Sequence, residues 1–356
     1  MKITHTLAEG RRSGTMSAMD EGRIDRLAAE YRRFSAQDTA GRSALYTELT
    51  RHIADDRELL AILCELEPAK RQPNLLLAAV RHLYGDFARD WQQFRERFFA
   101  RRSEALELIR THRTQTNEPA RCATLLPALA SLPQPLALLE VGTSAGLCLL
   151  PDRYGYDYGG GRRLIPPGHG DGDGSGGGGG GPVFHCTVNA ATPVPAALPE
   201  VVWRAGLDLA PIDVTDDESV SWLESLIWPG EGDRLALLRA AVRVAREDPP
   251  RIVRGDLRHD LPALALQAPA GATLVVFHTA VLGYVWDAAD RRGFAGTVRQ
   301  LGARWVANEL PALIELGPRA EPPRPGPTPR GEQLLTLDAV PLAWADSHGA
   351  WLQWLA

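Results

Sequence analysis

The chain changes character at Pro135, and the pattern beyond that point most constrains its fold. Five short apolar runs follow: LALLEVG (136–142), VVWRAGLDL (201–209), RIVRGDL (251–257), TLVVFHT (273–279) and ARWVANEL (303–310). Helical stretches separate the later ones, notably 222–246 and 287–301. Continuous apolar strands alternating with helices predict a mostly parallel sheet covered on both faces. The closing EQLLTLD and PLAWADSHGAWLQWL read as strand, turn and strand, an antiparallel pair that would close the sheet.

Before Pro135 the period is helical. Ile24, Leu27, Ala28, Tyr31 and Phe34 recur at steps of three and four, and Leu45, Leu49 and Ile53 repeat the pattern. Gly85 is a plausible helix stop. The expected organisation is a frayed tail over 1–19, a helical domain over 20–130 and an α/β domain over 131–356. Alternating residues around Tyr154 to Tyr158 and Val183 to Thr187 suggest a hairpin insertion over 153–188, bracketing the glycine run 168–181. Residues 317–331 read as a proline-rich connector.

Composition excludes several chemistries. With 356 residues, 44% hydrophobic and 23% charged, the chain is long enough for one large or two modest cores. Only Lys2 and Lys70 are lysines. Neither stands in the Gly-Lys-Ser/Thr context of a phosphate loop or suggests a Schiff base. A net charge of −5 provides no basic footprint for nucleic acid. Cys64, Cys122, Cys148 and Cys186 are too dispersed for a disulfide scaffold or a zinc site, so no metal is expected. The start lacks the apolar core of a secretory signal, and the apolar stretch 125–150 is broken by prolines and Glu140. A cytoplasmic protein without membrane partners is the expectation.

The most informative segment is LLEVGTSAGLCLL (138–150): an apolar strand, an acid, then a glycine-rich turn. It resembles the first motif of the S-adenosylmethionine-dependent methyltransferases of Rossmann-like fold, which implies that fold, that cofactor and an enzyme acting on a small molecule. The resemblance implies that Glu140 orders the turn and that Gly142 and Gly146 let the backbone approach the cofactor, with Ser144 in place of the middle glycine. Asp208, ending the next strand, would hold the ribose hydroxyls, with Asp157 as the alternative. Asp256 would lie near the adenine. His278 and Thr279 end the fourth strand at the edge where open α/β sheets bind ligands, and His278 is the candidate general base.

A polar cluster runs from His112 to Arg121. In its functional reading Arg113, Gln115, Asn117 and Arg121 project over the sheet edge and hold substrate; the structural alternative is a helix start capped by Thr116 or Asn117. Two rival functions stand beside methyl transfer. Gly142-Thr143-Ser144-Ala145-Gly146 also matches the G-x-S-x-G elbow of α/β-hydrolases, which would pair Ser144 with His348. The other rival is a binding protein without turnover. RQPNLLLAAVRHL, THRTQTNEPARCATLLPAL, DRYGYDYGGG, WRAGLDLAPIDVTD, VRGDL and FHTAVLGYV together resemble an actinobacterial family known only as domain of unknown function 2332. That resemblance implies no activity, and the acceptor substrate and oligomeric state stay open.

Overall fold

The structure, a computed structural model, describes residues 18–115, 117–167, 181–314 and 332–355. The tail before residue 18, most of the glycine run and the proline-rich connector lie outside the described residues, as does Thr116. The chain divides into two units: Met1–Thr114 with Trp228–Gly230, and Gln115–Ile227 with Glu231–Ala356.

The first unit is helical. It contains α1 (Ala18–Phe34), α2 (Ala44–Asp55), α3 (Arg57–Cys64), α4 (Pro73–Tyr84), α5 (Trp91–Ala100) and α6 (Arg102–Thr111). Ser43, Asp56 and Asp90 cap α2, α3 and α5 by accepting from backbone N–H groups of the first turn. Gly85, at φ +74°, ends α4 as its sequence suggests. Ile24, Leu27, Tyr31, Leu49, Ile53, Leu59 and Leu60 are buried, the stripe the three- and four-residue spacing predicts. Trp228 belongs here too, its ring 5.8 Å from Phe34 and 5.9 Å from Tyr46.

The second unit holds α7 (Arg121–Ala130), β1 (Leu136–Val141), β2 (Gly155–Asp157), β3 (Arg163–Leu164), β4 (Val183–His185), β5 (Thr187–Val188), β6 (Val201–Asp208), α8 (Asp217–Ser225) and α9 (Gly232–Glu247). It continues with β7 (Arg251–Arg254), α10 (Leu261–Ala265), β8 (Thr273–Thr279), α11 (Ala288–Gln300), β9 (Arg304–Glu309), β10 (Gln333–Leu337), β11 (Val340–Ala345) and β12 (Trp351–Trp354). Nine strands form one mixed, mostly parallel sheet in the order β5-β12-β11-β10-β9-β8-β1-β6-β7. From β7 to β9 every pairing is parallel, and β9 to β12 form an antiparallel meander. The C-terminal strands therefore extend the sheet by three rather than closing it with a pair, because the segment after the turn at 346–349 returns as β12.

Three further expectations are corrected. Helix α7 falls in the sheet unit, so the boundary lies near 114 and not 130: Cys122, Leu125, Leu126 and Leu129 are buried in the same cluster as Leu136 and Leu138 of β1. The insertion is not a simple hairpin, since β2 pairs in parallel with β4 and antiparallel with β3. Its three tyrosines are core residues, with the hydroxyls of Tyr154, Tyr156 and Tyr158 donating to the carbonyls of Leu147, Pro151 and Ala123. Among the described residues no α-helix stands between β1 and β6, because the glycine turn runs into the 3₁₀ turn Leu147–Leu149 and then this insertion.

Both sheet faces are covered. Leu138, Val275, Phe277 and Val306 pack on the face of α7 and α9, whereas Leu139, Val141, Val276, Trp305 and Ala307 pack on the face of α10 and α11. This alternation decides where each polar side chain at a strand end points.

Candidate functional site at the carboxyl ends of the central strands

β1 stands between β6 and β8, to which the chain crosses in opposite directions. In open α/β sheets such a reversal of strand order leaves the ligand crevice at the carboxyl ends. Here those ends hold the turn 142–146. Thr143 Oγ1 donates to Glu140 Oε2 at 2.6 Å, and burial pushes the Glu140 carboxyl well above its usual range. Ser144 sits at φ +50°, a left-handed conformation. Its N–H donates to Asp208 Oδ2 at 2.7 Å, while Ala210 N–H donates to Asp208 Oδ1 at 2.8 Å. Asp208 thus ends the strand beside β1, as its motif implies. Asp157 lies in the small sheet, and the insertion accounts for the long spacing from Glu140 to Asp208.

The polar cluster reaches this turn. Asn117 Nδ2 donates to Ser144 Oγ at 2.8 Å, and Asn117 Oδ1 accepts from Ala145 N–H at 3.0 Å. Gln115 Nε2 donates to the Ala210 carbonyl at 2.8 Å. Arg121, only 5% exposed, donates from Nε to the Ser347 carbonyl and from Nη1 to the carbonyl and Oγ1 of Thr279. Asn117 does not cap α7, whose N-cap is Ala120. Arg113 belongs to the helical unit and is exposed. The buried Glu118 is paired with Arg234 at 2.8 Å.

Two expectations about the glycines change. A Cβ on Gly142 would collide with the Val281 side chain, and one on Gly146 would lie 2.8 Å from Pro250 Cγ. Both glycines also have positive φ, +68° and +71°. Turn geometry and the protein's own packing already require glycine at both positions.

His278, near the carboxyl end of β8, does not open to the surface there. It falls on the α11 side of the sheet, fully buried, with its ring 5.5 Å from Phe294. Trp305 Nε1 donates to its Nε2 at 2.9 Å, which leaves the proton on Nδ1 to be donated to Glu309 Oε1 at 2.7 Å. Glu309 Oε1 also accepts from the N–H groups of Val281 and Leu282. Both ring nitrogens are committed to structure, because the two-residue period of β8 sends His278 to the α11 face and Phe277 and Thr279 to the α7 face. Asp256 is likewise engaged: Arg258 binds its carboxylate and holds it below the usual range, and its N–H donates to Asp260.

Sequence reasoning missed Asn308 and Gln333, buried polar residues on β9 and β10. The available signal was a polar side chain inside the apolar runs ARWVANEL and EQLLTLD, which periodicity alone reads as strand. Among the described residues no group of three or more His, Cys, Asp and Glu could hold a metal, and no helix is long and apolar enough to cross a membrane.

A helix-covered, mostly parallel nine-stranded sheet with a glycine turn at its strand-order reversal defines a mixed α/β protein of the open-sheet class. The family model described as "uncharacterized protein conserved in bacteria (DUF2332)" matches residues 28–354, and the chain belongs to that family. No curated protein and no solved structure matches it.

Proposed function

We propose that the chain binds S-adenosylmethionine at the carboxyl ends of β1, β6 and β8 and transfers the methyl group to a small molecule, on a Rossmann-like methyltransferase fold. The observation that carries this reading is the place of Asp208. It ends the strand next to the glycine turn, it is half-buried, and among the described residues each of its oxygens accepts one backbone N–H. A carboxylate has about four acceptor sites, so two remain for a pair of vicinal hydroxyls. Asp208 is the residue that would hold the ribose, with Glu140 acting through Thr143 to keep the turn in shape. The cofactor supplies an electrophilic methyl group.

The chain's part is binding, alignment and exclusion of water, which suffices for in-line transfer. With His278 withdrawn into the core, the acceptor atom has to be nucleophilic without help from that residue. A second reading, binding without turnover, is favoured by the same burial of His278. Calorimetric titration of the wild type and Asp208→Asn with S-adenosylmethionine tests the proposal. A loss of about 2 kcal/mol, roughly thirtyfold in affinity, is expected for the variant. Absence of binding by the wild type refutes the methyl-transfer reading. Binding with no methyl transfer to any acceptor in a labelled-methyl screen selects the second.

A further inference from the structure

On the α7 side of the sheet the strand ends carry a second, unassigned set of polar groups. Thr279 of β8 and Asn308 of β9 are register partners, so their side chains lie side by side on one face. Leu335 of β10 is directly opposite Asn308, and Gln333, two residues along on the same face, is its diagonal neighbour at about 7 Å. Arg121 approaches the same row through its bond to Thr279 Oγ1.

Two properties of this row are costly to the folded chain by itself. Asn308 is fully buried, and among the described residues neither its Oδ1 nor its Nδ2 has a hydrogen-bond partner; Gln333 is 3% exposed and its Oε1 has none among them. Buried polar atoms are nearly always partnered, and an unpartnered one forfeits its hydration without return. Arg121 carries a buried guanidinium whose acceptors are all neutral oxygens. No carboxylate among the described residues lies within ion-pair distance of it. Glu118 and Glu140 act on Arg121 only through space, so a buried cation with no direct carboxylate contact and an amide with both functions unused are complementary to the same kind of molecule.

We infer that Arg121, Asn308 and Gln333 form a binding site for a small carboxylate that bears an adjacent N–H or O–H donor, as in an α-amino or α-hydroxy acid. The carboxylate takes the charge of Arg121 and the Nδ2 donor of Asn308. An α-ammonium has protons for both Asn308 Oδ1 and Gln333 Oε1, whereas an α-hydroxyl satisfies one of the two. A fully buried amide is reached only by opening the packing above it, so association is slow relative to diffusion. The inference does not depend on the methyl-transfer reading, since binding is measured without S-adenosylmethionine.

The test is thermal denaturation of the full chain against the twenty L-amino acids, their α-hydroxy analogues and the matching simple carboxylates. Asn308→Leu and Gln333→Met are the variants. At least one amino or hydroxy acid should raise the Tm of the wild type and bind tenfold or more tightly than its simple carboxylate. Asn308→Leu, which removes unpartnered polar atoms at similar volume, should raise the ligand-free Tm by about 2 °C or more and abolish the ligand shift. Gln333→Met should weaken the shift without lowering the ligand-free Tm. The inference is overturned if no compound shifts the wild type or if simple carboxylates bind equally well. It is also overturned if the shift survives in Asn308→Leu, or if either substitution lowers the ligand-free Tm, which would mean that the amide is already satisfied.

Discussion

Asn117 grips the Ser144 turn from both sides, donating to Ser144 Oγ and accepting from the N–H of the next residue. A single carboxamide from the segment before α7 thereby holds a left-handed serine in place, and Asp208 holds the same serine by its N–H.

Removing that grip should cost stability before it costs anything else. Asn117→Ala loses two hydrogen bonds at about 1 kcal/mol each, so urea denaturation should show a loss of about 2 kcal/mol. Ser144→Ala should lose about half as much. The partner of Ser144 Oγ is an amide N–H, not a base that could take its proton, so a fluorophosphonate probe should leave Ser144 unlabelled. Stoichiometric labelling there would restore the hydrolase reading.

The glycine turn makes a second, sharper claim. Gly142→Ala should destabilise the chain by about 2 kcal/mol or more, from positive φ combined with the collision with Val281. Val281→Ala should return part of that loss in the double variant, because only the collision is relieved. Strict additivity in the double-mutant cycle would show that the two side chains do not meet.

Stability should also depend on pH through Glu140. Its folded-state pKa is raised by burial above the ordinary 4.5, so the folded protein keeps a proton that the unfolded chain gives up. Stability therefore falls as pH rises above about 4.5, by up to about 1.4 kcal/mol per pH unit, and levels off once the folded carboxyl also ionises. Glu140→Gln, which keeps an acceptor for Thr143, should flatten that part of the profile and be the more stable protein at neutral pH. Identical chemical-denaturation profiles for the two proteins across pH 4–8 would contradict this.

For His278 the expected phenotype is structural. His278→Ala leaves the Trp305 indole N–H unpaired and removes the Nδ1 donor from Glu309 Oε1 in a fully buried site, at a cost of about 3 kcal/mol or more. His278→Gln, able to accept from Trp305 and donate to Glu309, should recover part of it. Near-ultraviolet circular dichroism or fluorescence thermal scans of the two variants distinguish this from a residue acting only in chemistry, whose loss would leave Tm unchanged.

Much of the architecture was legible in the residues alone. The runs at 136–142, 201–209, 251–257, 273–279 and 303–310 became the five parallel strands, since unbroken apolar stretches between helices have only a doubly covered sheet in which to bury both sides. Gly85 ended its helix, and the acid and small residues after β1 marked a tight turn, because φ and Cβ clearance are local properties written in residue type. Partnership is not local. Whether His278 faced a crevice or the core depended on the phase of β8 against α11. Whether Gly142 made room for a ligand depended on Val281, 139 positions away in sequence. The sequence marks Asn308 only as a polar residue in an apolar run, which is ordinary in a strand until its neighbours on both sides are known. Those facts belong to tertiary structure, because hydrogen-bond satisfaction and steric room are set by atoms brought together only when the sheet assembles.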